Sequence, residues 1–551
     1  MTTLNKTIKN IIEQTIRTLI EEGVISPISN WSEFNYKLNE VNIEVEGQDY
    51  VYDYATNVAF VAKKYSQKNP LDLANLIKEK LEQNDLFEIV DVAKPGFINF
   101  KLNSKAFEVI LDNVLESQQN YGSKQIHTDE VVNVEYVSAN PTGFLHVGHA
   151  RGAVIGSALV NMLKHYGYPV VSEYYVNDAG NQIDNLVASA HVRYLQEFGI
   201  EKEMPEDSYK GQDIVWLAKQ LIKNQGEYYL NDFETKRTEF RNESVSILLD
   251  KIRQDLADLG VHFDLFTSEY KIKADNLIEP AIEKLGDHTY QKDGALFLRT
   301  TDFGDDKDRV LIKSDNSNTY FMPDIAYHEQ KMQRSAQLIN IWGADHSGYV
   351  ARLKIAMQCL GYDANKIEIL VVQLVRLLKD GAEFKMSKRA GTSVTLADLL
   401  EVSSKDAIRF NMLTRDANSK FDFDIDKGNE RDAANPVFSV QYAHSRACSL
   451  IQKAQQESVL DQNFVYPDKA KELLIQIDMF PDLIKTIVET RKVQLMTSYL
   501  INLASLFNSF YSNNRIIGSD YEAQMMRIVQ AVKEVLNLGL ELIGVSAPEA
   551  M

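Results

Sequence analysis

The chain's fold is restricted most by a strand, a loop, a helix and a second strand that follow one another within residues 131–176. Residues 131–137 are rich in β-branched and aromatic side chains, which is typical of a buried strand. An Asn-Pro-Thr-Gly break at 140–143 precedes a helical pattern that ends near Tyr166, and a second strand is predicted over 170–176. Two strands joined by a helix run parallel, so the sequence predicts a Rossmann-like α/β domain with ligands at the carboxyl ends of its strands.

Two imidazoles and a glycine lie where that loop becomes the helix, in His146-Val147-Gly148-His149. Backbone N–H groups and the dipole at a helix N-terminus favour phosphate, and Gly148 lets a ligand approach the backbone closely. The imidazoles can donate hydrogen bonds to charge that develops on the α-phosphate of ATP during attack by a carboxylate. In isolation, the tetrapeptide is equally compatible with two surface histidines beside a tight turn.

A second motif, Lys385-Met386-Ser387-Lys388, follows about 240 residues downstream and has a glycine on each side. Two ammonium groups on such a loop can close on the β- and γ-phosphates of ATP and stabilise the leaving pyrophosphate. A short basic tetrapeptide alone is usually a solvated loop. Its pairing with the histidine motif on one parallel-sheet domain is what indicates nucleotide chemistry.

The remaining chain is predicted to add one domain at each end of this catalytic domain. A small mixed α/β domain comes first, and an all-α helical bundle comes last. The predicted limits are 1–125 for the N-terminal domain, 126–400 for the catalytic domain with a mostly helical insertion around 190–300, 401–434 for a connecting segment, and 435–551 for the bundle. Short antiparallel strands are expected after the insertion, at 296–298, 310–312 and 319–321.

Composition excludes several classes of protein. No apolar run reaches the roughly 20 residues that span a bilayer, and no N-terminal signal peptide is recognisable, so a soluble cytoplasmic protein is expected. Two cysteines provide neither a disulfide framework nor a zinc cluster. A net charge of -19 argues against a simple nucleic-acid coat. Local basic patches can nevertheless bind RNA on an acidic protein.

Further segments are informative as strings: 134–149 (VEYVSANPTGFLHVGH), 175–182 (YVNDAGNQ), 320–327 (YFMPDIAY), 342–346 (WGADH), 440–446 (VQYAHSR) and 544–549 (GVSAPE). Together with the lysine motif, they resemble bacterial arginyl-tRNA synthetases, which belong to the class I aminoacyl-tRNA synthetases. The resemblance covers the chain from about residue 130 to its end. The first 125 residues fit that family's additional N-terminal domain in size.

The resemblance also assigns an arginine site. A guanidinium is planar and always charged, so a site that selects it needs carboxylates in bidentate geometry. By resemblance, Glu135 and Asp324 hold the guanidinium, and Tyr320 packs or hydrogen-bonds beside it. Asn140 is implied to bind the α-amino group, although its position before a proline is also typical of a turn residue. His346, or Asp345 beside it, is expected to touch substrate or ribose.

The implied activity is an arginine–tRNA ligase that forms arginyl-adenylate from ATP and transfers the arginyl group to the 3′-terminal adenosine of tRNA(Arg). Mg²⁺ is expected to accompany ATP without a metal site of protein side chains. The family resemblance implies a monomer and arginine activation that requires bound tRNA. The implied ATP contacts are Gly143, His146, Gly148, His149, Lys385, Met386, Ser387 and Lys388, and the anticodon candidates are Tyr511, Asn514 and Arg515.

Three alternatives remain open from the sequence. The chain could be a class I synthetase for another amino acid, although Glu135 with Asp324 disfavours an acidic substrate. Another nucleotidyltransferase with the same histidine motif would typically be shorter and lack the helical C-terminal domain. A catalytically inactive RNA-binding relative would not need both histidines and both lysines.

Overall fold

The structure is a computed structural model that describes residues 3–44, 51–124, 129–384, 394–432, 434–454, 460–461 and 464–551. The predicted lysine motif at 385–388 lies outside these ranges. No helix in the described part of the chain has both the length and the apolar surface needed to cross a membrane.

The N-terminal region contains α1 (Leu4–Glu21), β1 (Leu38–Glu44), β2 (Val51–Thr56), α2 (Val58–Ala62), α3 (Pro70–Leu81), β3 (Phe87–Ala93), β4 (Phe97–Leu102) and α4 (Ser104–Ser117). Its strands form an antiparallel sheet in the order β1-β2-β4-β3. Helix α1 buries Ile8, Ile12 and Ile16, which recur every four residues on one face. The Asn69 side chain accepts a hydrogen bond from the first turn of α3, where proline at N1 fits a helix start.

The central region alternates strands and helices: β5 (Val132–Glu135), α5 (Val147–Tyr166), β6 (Val170–Val176), α6 (Asn181–Glu197), α7 (Gln212–Gln225), α8 (Phe233–Asp258), β7 (Leu265–Ser268), α9 (Glu269–Ala274), α10 (Ile278–Leu285), β8 (Thr289–Lys292), β9 (Ala295–Leu298), β10 (Arg309–Ile312), α11 (Phe321–Arg334), β11 (Gln337–Gly343), α12 (Val350–Cys359), β12 (Ile367–Val372), β13 (Val375–Lys379), β14 (Ala382–Glu383), α13 (Leu396–Val402), α14 (Lys405–Met412), β15 (Phe421–Asp424) and α15 (Ile425–Asn429). Five of its strands form an all-parallel sheet in the order β12-β11-β5-β6-β7. The predicted Rossmann-like class is therefore confirmed. The carboxyl end of β5 lies at the centre of the sheet, between β11 and β6.

The predicted helical insertion contains one strand of the main sheet. Strand β7 pairs in parallel with β6, from Glu173 opposite Leu265 to Val176 opposite Ser268. In chain order, helices α7 and α8 come before this edge strand, and helices α9 and α10 come after it. A strand of four residues has too short a pattern to be separated from its helical neighbours by sequence periodicity.

Two of the three short strands predicted after the insertion are confirmed, and the third is wrong. Strands β9 and β10 pair antiparallel, and β8 completes their sheet. Residues 319–321 form no strand, because α11 begins at Phe321. Thr319 instead donates its backbone N–H to the carbonyl of Leu311 at 2.9 Å and leads directly into the helix.

A small sheet joins the hairpin that precedes the lysine motif to residues 421–424. These residues belong to the segment that was predicted only as a connection. Strands β13 and β14 pair antiparallel across Asp380 and Gly381, which both have positive φ angles, as an Asp-Gly hairpin turn requires. Strand β15 pairs in parallel with β13, with Val375 opposite Phe421. The order β14-β13-β15 therefore places residues 421–424 beside the hairpin.

The C-terminal region is all helix in its described residues, as predicted. Its helices are α16 (Pro436–Lys453), α17 (Asp468–Asp478), α18 (Phe480–Thr490), α19 (Gln494–Asn513) and α20 (Glu522–Leu542). Helix α19 buries Phe507 and Phe510 in the core of this region.

Arg409 connects the central and C-terminal regions through their interior. Its side chain is fully buried. The guanidinium donates to the Ile543 carbonyl at 2.8 Å, the Leu259 carbonyl at 3.1 Å and the Ser157 hydroxyl at 2.8 Å. One residue of α14 thus satisfies groups that follow α20 and α8 and one that lies on α5.

Replacing Arg409 by methionine should lower the free energy of unfolding by about 3 kcal/mol, because two buried carbonyls lose their donors. The thermal midpoint of the purified protein, followed by circular dichroism, measures this loss. Arg253→Met is the matched control, since Arg253 pairs with Asp250 at 2.9 Å on the exposed surface of α8. Such a pair contributes about 0–1 kcal/mol. Equal midpoints for the two variants would contradict the role assigned to Arg409.

Candidate active site

The predicted histidine motif lies at the N-terminus of α5. His146 is the N-cap residue, and its Nδ1 accepts a hydrogen bond from the Gly148 N–H at 3.0 Å. Because Nδ1 is an acceptor, the neutral ring carries its proton on Nε2 and can donate to a ligand. The His149 ring lies 3.8 Å from that of His146, centroid to centroid. A β-carbon on Gly148 would come within 2.8 Å of the His146 ring, so only glycine fits this arrangement.

Both imidazoles are uncharged near neutral pH. Burial lowers the pKa of His146 below its usual value. Burial, and then the neighbouring His146, lower the pKa of His149 to about 4. The His149 Nδ1 atom is buried and has no hydrogen-bond partner within the described part of the chain. The motif therefore presents neutral N–H donors to a ligand.

The chain returns to the histidine motif directly after the lysine motif. The Val147 N–H donates to the Val394 carbonyl at 3.0 Å, and the Leu396 N–H donates to the Leu145 carbonyl at 2.7 Å. On the other side, Phe384 continues from strand β14 and donates to the Leu377 carbonyl at 2.8 Å. The predicted Lys385, Met386, Ser387 and Lys388 lie outside the described residues, but the residues that flank them lie beside α5.

A cavity of about 1050 Å³ opens between these flanks and the start of α5. Its lining includes His146, Gly148, Phe384, Val394, Arg415 and Lys420. Arg415 and Lys420 come from the segment before β15, and a third cation of the lining, Arg376, is paired with Asp422. The cavity therefore combines a helix N-terminus with positive charge, which suits a polyphosphate.

Asp324 lies in the first turn of α11 and is surrounded by carboxylates. Its Oδ2 accepts a hydrogen bond from the Tyr349 hydroxyl at 2.9 Å. Removal of water raises the pKa of Asp324 to about 7; the Tyr349 hydrogen bond opposes this rise, while the charges of Glu269 and Glu135 add to it. Glu135 is paired with Lys331, and Glu269 is paired with Lys273. Asp324 is therefore the carboxylate of this group that has no ammonium partner among the described residues, and it favours a bound cation.

Glu135 ends β5 and is almost fully buried. Its Oε2 atom accepts a hydrogen bond from the Lys331 ammonium at 2.7 Å, and its Oε1 atom accepts one from the Ser138 hydroxyl at 2.9 Å. Val137 and Ser138 both have positive φ angles, 70° and 43°. Such a backbone is strained for a β-branched valine and turns the Ser138 hydroxyl back to the carboxylate.

The other residues predicted to contact substrate are Asn140, His346 or Asp345, and Tyr320. Asn140 donates its amide to the Gln182 side chain. His346 and Asp345 follow β11, both exposed, with His346 Nε2 3.4 Å from the Asp345 carboxylate. Tyr320 precedes α11 with 76% of its surface exposed, and its predicted role beside the guanidinium stays a prediction. The tyrosine that hydrogen-bonds Asp324 is Tyr349, which sequence reasoning missed.

Gly143 lies on the loop between β5 and the histidine motif. A β-carbon there would meet the Asp213 carboxylate at 2.2 Å, so the loop packs tightly against the start of α7. Glycine at this position is explained by that close approach. Its predicted contact with ATP stays a prediction.

The predicted anticodon residues lie at the end of α19. Asn514 donates to the Phe510 carbonyl at 2.8 Å, and Arg515 donates to the Ile517 carbonyl at 3.3 Å. Tyr511 is exposed, and the Arg446 guanidinium lies 4.6 Å from its ring centroid. The same guanidinium lies 4.7 Å from the Tyr442 ring. This surface offers planar groups on which unpaired bases can stack.

A parallel sheet with a histidine-capped helix at its carboxyl edge, described segments on both sides of the lysine motif that lie near that helix, and a C-terminal region that is all-α in its described residues define a class I aminoacyl-tRNA synthetase fold, whose nucleotide substrate is ATP. Three family models together match most of the chain: "Arginyl tRNA synthetase N terminal domain" at residues 5–102, "tRNA synthetases class I (R), catalytic domain" at 110–443, and "DALR anticodon binding domain" at 440–551. The chain belongs to the arginyl-tRNA synthetase family.

Individual relatives agree with this assignment. The arginine–tRNA ligase of Bacillus subtilis is 40% identical over 98% of this chain and 100% of its own length. That of Metamycoplasma arthritidis is 43% identical over 91% of this chain and 94% of its own. The solved Thermus thermophilus arginyl-tRNA synthetase shares the fold, with a TM-score of 0.73 at 23% identity and full coverage of both chains. The predicted family and the predicted arginine–tRNA ligase are confirmed, which excludes the first two alternatives.

Proposed function

We propose that this chain joins L-arginine to tRNA(Arg) in two steps at the carboxyl edge of its parallel sheet. In the first step, a carboxylate oxygen of arginine attacks the α-phosphorus of ATP, and the bond to pyrophosphate breaks. In the second, the 2′-hydroxyl of the terminal adenosine attacks the arginyl carbonyl, loses its proton, and releases AMP. The observation that carries the proposal is the enclosed carboxylate cluster around Asp324 on the same sheet edge as the histidine motif.

The two histidines act as neutral donors towards the α-phosphate. His146 Nε2–H and an N–H of His149 face charge that increases as the pentacoordinate phosphorus forms. A donor placed where charge develops stabilises the transition state more than the ground state. Because their pKa values are lowered by burial, neither imidazole transfers a proton near neutral pH.

The lysine motif is assigned to the β- and γ-phosphates. Lys385 and Lys388 would neutralise pyrophosphate as it leaves, with Met386 and Ser387 completing the loop. The support comes from its flanks, since Phe384 and Val394 line the same cavity as His146. Arg415 and Lys420 add positive charge to that cavity from the opposite segment.

Mg²⁺ is proposed to enter with ATP. The described residues contain no group of three or more His, Cys, Asp or Glu side chains placed to hold a metal ion. Mg²⁺ keeps several waters and readily takes phosphate oxygens as its other ligands, so a nucleotide-borne ion fits this site. The ion would neutralise part of the phosphate charge, together with the cationic side chains of the cavity.

The guanidinium of arginine is assigned to Asp324 and Glu135. Asp324 offers a carboxylate that is not neutralised by a cation at hydrogen-bonding distance among the described residues. Glu135 adds a second acceptor, with its Oε2 atom already held by Lys331. Asn140 is proposed for the α-amino group and His346 for the substrate or ribose, both at ends of strands of the same sheet.

The proposal also covers the anticodon contacts, the domain limits, and the oligomeric state and location of the protein. The exposed Tyr511, with Asn514 and Arg515 at the end of α19, would contact the anticodon loop. The domain limits are proposed as predicted, at 1–125, 126–400, 401–434 and 435–551. We expect the protein to act as a monomer in the cytoplasm, by analogy with its family.

Charging of total bacterial tRNA with each labelled amino acid and ATP tests the proposal. Only arginine should appear on tRNA, and Glu135→Gln or Asp324→Asn should lower kcat/KM for arginine about a hundredfold or more. Glu329→Gln is the matched control, because Glu329 lies on the same helix but pairs with Lys284 at 2.8 Å. Another amino acid on tRNA would contradict the pocket assignment. No charging at all would favour the inactive RNA-binding alternative.

A further inference from the structure

A continuous chain of hydrogen bonds runs behind the proposed arginine site from Asp324 to Glu135. The His328 Nδ1 atom lies 2.8 Å from the backbone carbonyl of Asp324. The His328 Nε2 atom lies 2.8 Å from the Asn340 Nδ2 atom. Lys331 then donates to the Asn340 Oδ1 atom at 2.7 Å and to the Glu135 Oε2 atom at 2.7 Å. The chain links the backbone carbonyl of Asp324 to the Glu135 carboxylate through α11 and β11.

Lys331 fixes the direction of every bond in this chain. An ammonium only donates, so the oxygen of the Asn340 amide must face it and the amide nitrogen must donate to His328 Nε2. His328 is consequently neutral, with its proton on Nδ1. Burial, and then the Lys331 charge, lower the pKa of His328 to about 3, which agrees with that assignment.

The ion pair of Lys331 and Glu135 is almost completely removed from water. The Lys331 side chain has no exposed surface, and that of Glu135 is 6% exposed. Desolvation consumes much of the attraction in such a pair, so its net contribution to folding is small. Removing one partner is nevertheless costly, because the remaining buried charge then has no counterion. The larger consequence of the pair is that it fixes the rotamer of Glu135.

We propose that Lys331 is a positioning residue for arginine recognition. Its ammonium holds the Oε2 atom of Glu135 while the Ser138 hydroxyl holds the Oε1 atom, so the carboxylate is fixed in position before substrate arrives. Lys331 also neutralises one carboxylate of the cluster, so the charge of the incoming guanidinium is balanced by Asp324. The inference rests on the proposed role of Glu135 in binding arginine.

Lys331→Met tests this role, because it removes the ammonium and preserves the approximate length of the side chain. The KM for arginine in tRNA charging should rise about tenfold or more, since Glu135 loses the ammonium that holds its carboxylate in position. The KM for ATP should stay within about threefold, because the histidine motif is untouched. Lys331→Gln is the second variant, for use if Lys331→Met does not fold. It retains hydrogen-bond donors without charge, so it should raise the arginine KM by a smaller factor.

A double-mutant cycle separates positioning from a general effect on the core. If Lys331 acts through Glu135, adding Lys331→Met to Glu135→Gln should not raise the arginine KM further. Multiplicative effects of the two substitutions would overturn the proposal. Arg334→Met is the control, because Arg334 lies one turn along α11 and holds the buried Glu173 at 2.7 Å. It should lower thermal stability and leave the arginine KM unchanged.

The same experiment tests the role of Glu135 and the role of Lys331 separately. An unchanged arginine KM in Glu135→Gln alone would remove the proposed role of Glu135 itself. A raised KM in Glu135→Gln, together with an unchanged KM in folded Lys331→Met and Lys331→Gln, would overturn the role of Lys331 only.

Discussion

Lowering the pH from about 8 to about 6 is expected to raise the KM for arginine about tenfold, at saturating ATP and tRNA. The proposed site binds guanidinium to an ionised Asp324. With the pKa of Asp324 raised to about 7, the free protein holds this carboxyl group protonated at the lower pH, and arginine must displace the proton. Initial rates of tRNA charging at a series of arginine concentrations and pH values measure the effect.

The sign follows from the environment of the carboxylate. Loss of water favours the neutral acid, and the Tyr349 hydroxyl recovers only part of that cost. Glu269 and Glu135 add negative potential, while Lys273 opposes it. The raised pKa means that the anionic form is populated above about pH 7, so affinity for a cation increases with pH. A substrate guanidinium stays charged throughout this range.

Asp324→Asn identifies the group responsible. This variant should bind arginine weakly at every pH, and its residual KM should not show the rise between about pH 8 and pH 6. Glu329→Gln should keep the pH dependence of the unmodified protein. His149, whose pKa is lowered to about 4, does not titrate in this range, and burial also lowers the pKa of His146. A pH dependence that persists in Asp324→Asn would assign it to another group.

Local patterns account for much of the fold. The βαβ unit occurs as predicted, and helix α3 and the Asp-Gly hairpin likewise depend on neighbouring residues, through a proline at the helix start and a turn that needs positive φ angles. Strands β7 and β15 are four residues long, and their pairing with β6 and β13 is set by contacts distant in sequence. Periodicity in a single chain does not contain such pairings.

In the site, too, some residues could be predicted from local sequence, while others depend on tertiary packing. Glu135 and Asp324 were predicted from the strings around them, and the structure places both at the carboxyl edge of the sheet. Lys331 and Tyr349 escaped prediction because a helical lysine or a tyrosine after a strand is usually solvent-facing, and only tertiary packing turns them inward. Tyr349 hydrogen-bonds the Asp324 carboxylate from the connection after β11, while Tyr320 is exposed just before α11 and its predicted contact with arginine stays a prediction.

His149→Ala should lower kcat for tRNA charging about a hundredfold and leave the KM for ATP and for arginine within about twofold. Loss of one donor to a developing oxyanion costs roughly 3 kcal/mol at the transition state. The neutral ring, with its pKa lowered to about 4, donates equally at pH 6 and pH 8, so the loss should be independent of pH in that range. Single-turnover formation of arginyl-adenylate with bound tRNA isolates the step concerned.

Two further substitutions separate catalysis from the structure of α5. His146→Asn keeps a side-chain acceptor for the Gly148 N–H, so the helix cap should survive while the imidazole donor is lost. Its kcat should therefore fall without a large change in thermal midpoint. His165→Asn replaces a histidine of the same helix that contacts the Tyr121 carbonyl at 2.9 Å, and should change stability alone. If His149→Ala instead raised the KM for ATP at unchanged kcat, the imidazole would bind ground-state phosphate, and the assignment to the transition state would fail.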